Sequence, residues 1–291
     1  MHPAFQGMGR ALAVTGHLAV VAEPGAVAVG ELHPALVDAG RMVALDMTSR
    51  SESRGEAISL AGVSGGGTLA LLLAADPALA SRVTGVTVLA PPCDMEQAIR
   101  VATTGTYRER AELRRFAAGS FAALVMARSL VAMLPDGPDR DALRARLQSL
   151  EDQDPDPLAP LRAWPREGMT GPARRALELL SNDDPQLFDV LYAALPEAQR
   201  HAIESLSPIR VTRNLQAPVE LVVGRTDKYV PFADAAAFAA ACPSARLTVI
   251  ESLEHAVPRL GLRELRSLAQ LDGVFVRMLA SARSCLCPAR T

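Results

Sequence analysis

The stretch "ISLAGVSGGGTLALLLAADPALA", Ile58 to Ala80, constrains this chain more than any other. It begins as a buried strand and ends as an apolar helix. One serine and four glycines, Gly62, Ser64, Gly65, Gly66 and Gly67, fill the junction. Gly62-Val63-Ser64-Gly65-Gly66 fits the pattern G-x-S-x-G, a sharp strand-to-helix bend whose serine takes a strained backbone. Such a bend exposes the hydroxyl and sets it beside the positive end of a helix. The Gly65 amide then points to where an oxyanion would develop. Gly62 and Gly66, two residues before and after, keep strand and helix from colliding. The alternative is a glycine-rich turn in which Ser64 only caps the helix. A nucleotide-binding turn would show G-x-G-x-x-G or G-K-[ST], and both are absent.

The rest of the chain sets this bend in an alternating pattern. Residues 3–15 predict a helix stopped at Gly16. "HLAVVAEPG", His17 to Gly25, predicts a buried strand closed by Pro and Gly. Leu32, Leu36, Val43 and Met47 recur at helical spacing, which predicts an amphipathic helix from Glu31 to Thr48. Strands are expected over Ala57 to Val63 and Val83 to Pro92. Alternation of strand and helix indicates an α/β fold, a mostly parallel sheet flanked by helices. From Asp94 to Leu206 the pattern turns helical, broken by "EDQDPDPLAPLRAWP", Glu151 to Pro165. This reads as an inserted helical cap in two parts, or else a separate helical domain. Strand patterns then resume at Ala217 to Asp227 and Ala245 to His255, with helices at Ala233 to Ala241 and Leu262 to Ala282. The expected organisation is a first core part at 1–94, a cap at 95–208, a second core part at 209–283 and a tail at 284–291.

Composition removes several function classes. The 291 residues, 49% hydrophobic, suit one large core with an insertion. A net charge of −2 gives no electrostatic case for nucleic acid or anionic membranes. No run of 18 apolar residues occurs, so no membrane span is expected; Ala11 to Ala22 loosely imitates a signal peptide, but Thr15, Gly16 and His17 interrupt it. Cys93, Cys242, Cys285 and Cys287 do not show structural zinc spacing. The sequence points to no metal and no organic cofactor, and a reducing cytoplasm is the expected compartment.

A serine hydroxyl needs a base, normally histidine. Of His2, His17, His33, His201 and His255, only His255 follows a late core strand, at the sheet edge where ligands bind in open α/β folds. The imidazole in turn needs a carboxylate to fix its tautomer. Asp227, in "VVGRTDKYVPF", follows a strand and lies 28 residues before His255. Asp94 competes for the role. Surface-turn positions are the plain alternative for each of these residues.

The order Ser64, Asp227, His255, with the strand–turn–helix around Ser64, resembles the α/β-hydrolase superfamily. "VELVVGRTDKYVP" is similar to that family's acid turn, "ESLEHAVP" to its histidine loop, and Asp94 to Leu206 to its cap. The resemblance implies catalytic Ser64, Asp227 and His255, an oxyanion donor at Gly65, and a small-molecule acyl substrate. It also implies further strands before His17–Gly25, and a His-Gly-like loop carrying a second oxyanion amide. Neither is visible in Met1 to Phe5. In another register "HLAVVAEPGA" supplies that strand, Glu23 to Ala26 the loop and "RMVALDM" the next strand. The expected function is therefore a serine hydrolase cleaving an ester, thioester or related acyl bond. The alternatives are a weak or inactive binding protein of the same fold, or a fragment of an active hydrolase. Peptide and ester substrates are not separated, whereas dehalogenase chemistry is disfavoured because Ser64 stands where that reaction needs a carboxylate.

Overall fold

The computed structural model describes residues 3–22, 25–53, 56–255, 257–258 and 265–283. The expected tail at 284–291, with Cys285 and Cys287, lies outside them. Helix α1 (Pro3–Val14), the one-turn α2 (Gly25–Ala28) and α3 (Ala35–Ser49) precede β1 (Ile58–Val63) and α4 (Gly65–Ala74). Strand β2 (Val83–Leu89) follows, then a helical segment, then β5 (Val219–Val223), α12 (Phe232–Ala241), β6 (Ala245–Val249) and finally α13 (Leu265–Arg283). The four strands pair in the order β1-β2-β5-β6, every pair parallel. The chain is thus an α/β fold whose parallel sheet carries helices on both faces.

Side-chain alternation along β5 shows why. Val219, Leu221 and Val223 face one way and join Leu71 of α4 and Phe238 of α12 in a single apolar cluster. Val222 faces the other way and packs with Ile250, Leu253 and Val274 of α13. A period of two assigns successive residues to opposite faces, so a strand covered on both sides reads as continuous Val and Leu. Phe238, Leu71 and Leu221 are fully buried, each contributing about 1.5–3 kcal/mol against exposure. The polar member of β5, Glu220, is buried and accepts from Arg277 Nε at 2.7 Å and Nη2 at 2.8 Å, a two-point bond that fixes α13 on the sheet.

Between β2 and β5 the chain builds α5 (Met95–Thr104), an antiparallel hairpin of β3 (Thr106–Glu109) and β4 (Glu112–Arg115), α6 (Ser120–Ala132) and α7 (Pro138–Gln148). It continues through α8 (Ala159–Arg162), α9 (Gly171–Leu180), α10 (Phe188–Ala193), α11 (Glu197–Ser205) and a 3₁₀ turn at Pro208–Asn214. These helices share a core of their own, centred on Leu124, Leu143, Leu177 and Phe188, which reaches Leu69 and Leu72 of α4. Entry and exit are stitched together: Ile209 N–H donates to the Cys93 carbonyl at 2.9 Å, and Met95 N–H to Ser207 Oγ at 3.0 Å. The two ends of this helical segment therefore meet beside the loop after β2.

Four expectations are corrected. His17 to Ala22 is not a strand. It is an extended segment with no ladder partner among the described residues, and Leu18 and Val20 are each 50% exposed. Its apolar run, Leu18 to Ala22, lacks the pairing that makes a sheet. "RMVALDM" lies inside α3, which removes the second register. Helix α3 begins at Ala35 rather than Glu31, and it buries Leu36, Ala44 and Thr48 while Val43 stays 41% exposed. The segment after Asp94 is not wholly helical, because the β3–β4 hairpin interrupts it. Among the described residues no helix is long and apolar enough to cross a membrane.

Candidate active site

Ser64 sits on the bend between β1 and α4 with φ 52° and ψ −127°. A non-glycine residue in this region is strained, and strain of this kind concentrates at functional positions. The surrounding backbone over-determines it. Ser64 N–H donates to the Leu89 carbonyl of β2 at 2.8 Å, and its carbonyl accepts from Gly67 at 2.8 Å and Thr68 at 3.1 Å. Its hydroxyl makes no capping bond to α4, so the simple helix-cap alternative does not hold. A Cβ on Gly62 would lie 2.2 Å from the Gly66 carbonyl oxygen, whereas one on Gly66 would meet nothing within 4 Å. The spacing requirement therefore falls on Gly62 alone. Gly65 begins α4, where backbone N–H groups have no intrahelical acceptor.

Asp227 and His255 come from the C-terminal side of β5 and β6. Asp227 is buried in the turn after β5, and its two oxygens have different tasks. Oδ1 accepts from Tyr229 N–H at 2.7 Å and Val230 N–H at 3.0 Å, while Oδ2 meets His255 Nδ1 at 2.9 Å. His255 follows the short strand β7 (Leu253–Glu254), which pairs with β8 (Val257–Pro258). It follows directly after β7 with φ 54°. This assignment of Nδ1 to the carboxylate leaves Nε2 available.

Ser64, Gly65, Gly66 and His255 line one cavity of about 880 Å³. Its wall is mainly apolar and includes Val27, Leu32, Val101, Phe121, Val125 and Tyr229. No hydrogen bond joins the Ser64 hydroxyl to His255 among the described residues. The space beside Gly65 is filled by Leu32, whose Cδ2 would lie 2.9 Å from a Cβ there. Leu32 N–H is itself engaged by Ser129 Oγ at 2.8 Å. Glu31, buried beside it and also on the cavity wall, is paired with Arg144 through Nε at 2.8 Å.

The other candidates have different duties. Asp94 caps α5, accepting from Glu96 N–H at 3.0 Å and Gln97 N–H at 3.3 Å, and lines the cavity without bonding His255. His17 contacts Thr15 Oγ1 at 2.9 Å, and His33 Nδ1 accepts from Ala35 N–H at 3.1 Å at the start of α3. His201 lies exposed on α11, and His2 lies outside the described residues. Lys228, beside the acid, is ion-paired with Glu254. Among the described residues no group of three or more His, Cys, Asp or Glu is arranged to hold a metal.

Three cavity residues escaped the sequence reading. Tyr229 packs edge-to-face on His255, with ring centroids 4.7 Å apart at 87°. Its signal was its place two residues after Asp227. Asp234 of α12 accepts from Cys93 N–H at 2.7 Å. Burial pushes its carboxyl up to about 7 and the Asp94 charge adds to the shift, against the amide bonds of Cys93 and Asp94. Arg110, at the tip of the β3–β4 hairpin, also reaches the cavity. Neither of these two carried a sequence signal.

Together the parallel sheet, the elbow after β1 and the turns after β5 and β6 define an α/β fold with Ser64, Asp227 and His255 at the C-terminal edge of its strands. No family model matches the chain, and no curated protein matches it. Solved structures do, among them three at 15–16% identity. A meta-cleavage product hydrolase from Pseudomonas fluorescens IP01 is 15% identical, with TM-score 0.33 over 78% of this chain and 65% of its own. The esterase RhEst1 from Rhodococcus sp. ECU1013 is 16% identical, TM-score 0.35, over 76% and 65%. Est816, described as an N-acyl homoserine lactone degrading enzyme, is 16% identical, TM-score 0.39, over 86% and 75%. The matched region spans just under two thirds of the first two of these proteins.

Proposed function

We propose that this protein is a serine hydrolase that cleaves an ester, thioester or related acyl bond of a small molecule through an acyl-enzyme. The observation that carries the reading is the Asp227–His255 contact at 2.9 Å, whose imidazole lies on the wall of the cavity that Ser64 also lines. In this reading His255 Nε2 takes the Ser64 proton as Oγ bonds to the acyl carbon. The Gly65 amide bonds the oxyanion of the tetrahedral intermediate. The intermediate collapses, the C–O or C–S bond breaks, and His255 returns the proton to the leaving alcohol or thiol. Water then repeats the sequence on the acyl-Ser64 ester and releases the acid. Asp227 holds His255 in the required tautomer and stabilises the imidazolium. The helical insertion acts as a cap, and the mainly apolar wall fits an apolar acyl or alcohol group.

A fluorophosphonate probe tests this directly. Folded protein is expected to label at Ser64 and the Ser64→Ala variant is not; equal labelling of both sinks the proposal. The second reading, a binding protein with the same fold, draws on one observation: the Ser64 hydroxyl makes no hydrogen bond to His255. It requires ligand uptake without turnover, and hydrolysis of a p-nitrophenyl ester that is lost in Ser64→Ala removes it.

A further inference from the structure

Tyr229 occupies a position that the proposed chemistry leaves unused. Its backbone N–H donates to Asp227 Oδ1 at 2.7 Å, and its ring meets the His255 imidazole edge-to-face at 4.7 Å. The same residue thus touches both partners of the carboxylate–imidazole pair, one through backbone and one through side chain. The ring also meets the start of α6. Phe121 packs on it with centroids 5.8 Å apart at 69°. Gly119 leaves the room it needs, since a Cβ there would lie 2.7 Å from Tyr229 Cε1. Gly119 N–H also donates to the Lys228 carbonyl at 2.7 Å. The helical insertion is therefore tied to the acid turn here.

His255 needs such a brace. It follows β7 with φ 54°, joined to the turn after β5 by a side-chain bond through Nδ1. One hydrogen bond fixes a ring atom but leaves rotation about that bond. A second contact on the ring removes this freedom, and aromatic edge-to-face packing has a preferred geometry. Placement of a reacting group matters steeply, because a displacement of about 1 Å costs on the order of 10² in rate.

We propose that Tyr229 is a positioning residue that holds the His255 imidazole toward Ser64, and that Gly119 at the start of α6 sets the position of its ring. The inference rests on the serine-hydrolase reading. The ring carries the role, and the hydroxyl does not.

The test uses Tyr229→Phe, Tyr229→Leu and Gly119→Ala in the full chain, with p-nitrophenyl ester turnover, the rate of fluorophosphonate labelling at Ser64, and exchange of the His255 Nδ1 proton by NMR. Tyr229→Phe is expected to stay within twofold of the parent in every readout. Tyr229→Leu lowers kcat and the labelling rate together by about 10- to 100-fold, leaves KM within threefold, and speeds exchange of the Nδ1 proton. Gly119→Ala keeps the tyrosine but displaces its ring, so it lowers kcat three- to tenfold and has no further effect in the Tyr229→Leu background. If Tyr229→Leu does not fold, Gly119→Ala alone decides. The proposal is overturned if the folded leucine variant keeps kcat within threefold, or if phenylalanine loses as much as leucine. A Ser64 that never labels in the parent protein defeats the hydrolase reading instead; the NMR exchange then still reports whether the ring orders His255.

Discussion

Asp227 divides its carboxylate between two neighbours: Oδ2 lies 2.9 Å from His255 Nδ1, while Oδ1 accepts the amides of its own turn at Tyr229 and Val230. One side chain thereby fixes the loop after β5 and the ring after β6, and two substitutions separate the tasks. Asp227→Asn keeps a carbonyl oxygen for the turn but presents an amide to Nδ1, which forces the other tautomer. We expect kcat to fall by about 10³–10⁴ with little change in stability. Asp227→Ala loses the turn as well and costs a further ~1–2 kcal/mol on unfolding. Ester hydrolysis and urea denaturation of both variants measure this. Equal loss of stability in the two would mean that the turn bonds contribute nothing.

Gly62 and Gly66 look equivalent in the motif and are not equivalent in space. At Gly62 a methyl group would meet the backbone oxygen of Gly66 at 2.2 Å, a contact that no side-chain rotation relieves. Gly62→Ala is expected to cost at least ~3 kcal/mol or to prevent folding. At Gly66, in the first turn of α4, a methyl group meets nothing within 4 Å. Gly66→Ala should be neutral or stabilising by up to ~1 kcal/mol from helix propensity. Thermal unfolding of the pair tests the asymmetry, and a Gly66→Ala variant as damaged as Gly62→Ala would refute it.

The site was legible where one residue type has one physical use, and the fold where a pattern has one partner. Gly62 and Ser64 announce a bend, the apolar run of β5, interrupted only by Glu220, announces a buried strand, and Asp227 and His255 follow strand patterns closely enough to be paired. His17 to Ala22 misled because a short apolar run closed by Pro and Gly says nothing of whether a neighbouring strand exists to accept its hydrogen bonds. Helix α3 starts late because Pro34 and the His33 ring precede it, with His33 Nδ1 taking the Ala35 amide. The β3–β4 hairpin was hidden because its strands are mostly charged and its turn lacks the glycine or asparagine that marks such loops. Tyr229 was in view beside Asp227, but its meaning lies in Gly119 and Phe121, more than a hundred residues away in the chain.

Asp234 gives the stability of this protein a pH dependence of unusual sign for a carboxylate. Its folded pKa of about 7 stands above the ordinary 3.8. Between about pH 4 and 7 the native state holds a proton that the unfolded chain has released. The stability from this group is therefore fully present below pH 4 and is lost as pH rises through 7. A carboxyl raised this far contributes on the order of 2–4 kcal/mol across that window. Asp234→Asn keeps an oxygen for the Cys93 amide and cannot ionise, so it should flatten that part of the curve and be the more stable form at pH 8. Urea unfolding at pH 5 and pH 8 measures the difference; parallel curves for the two proteins would show that Asp234 ionises freely in the fold.

Arg110 carries strain without a glycine to relieve it. It is the first of two residues between β3 and β4 and has φ 56°, the region that hairpin turns of this length favour and that glycine occupies at little cost. Both strands are short and β4 is wholly exposed, so packing adds little to hold the loop. Arg110→Gly removes the steric penalty, partly offset by the greater freedom of glycine in the unfolded chain, and should raise stability by about 0.5–1 kcal/mol. Arg110→Ala removes the same charge but leaves the β-carbon in the same strained position. It should show no gain. Urea denaturation of the two variants separates backbone relief from loss of charge, and an alanine variant as stabilised as the glycine variant would assign the effect to the charge.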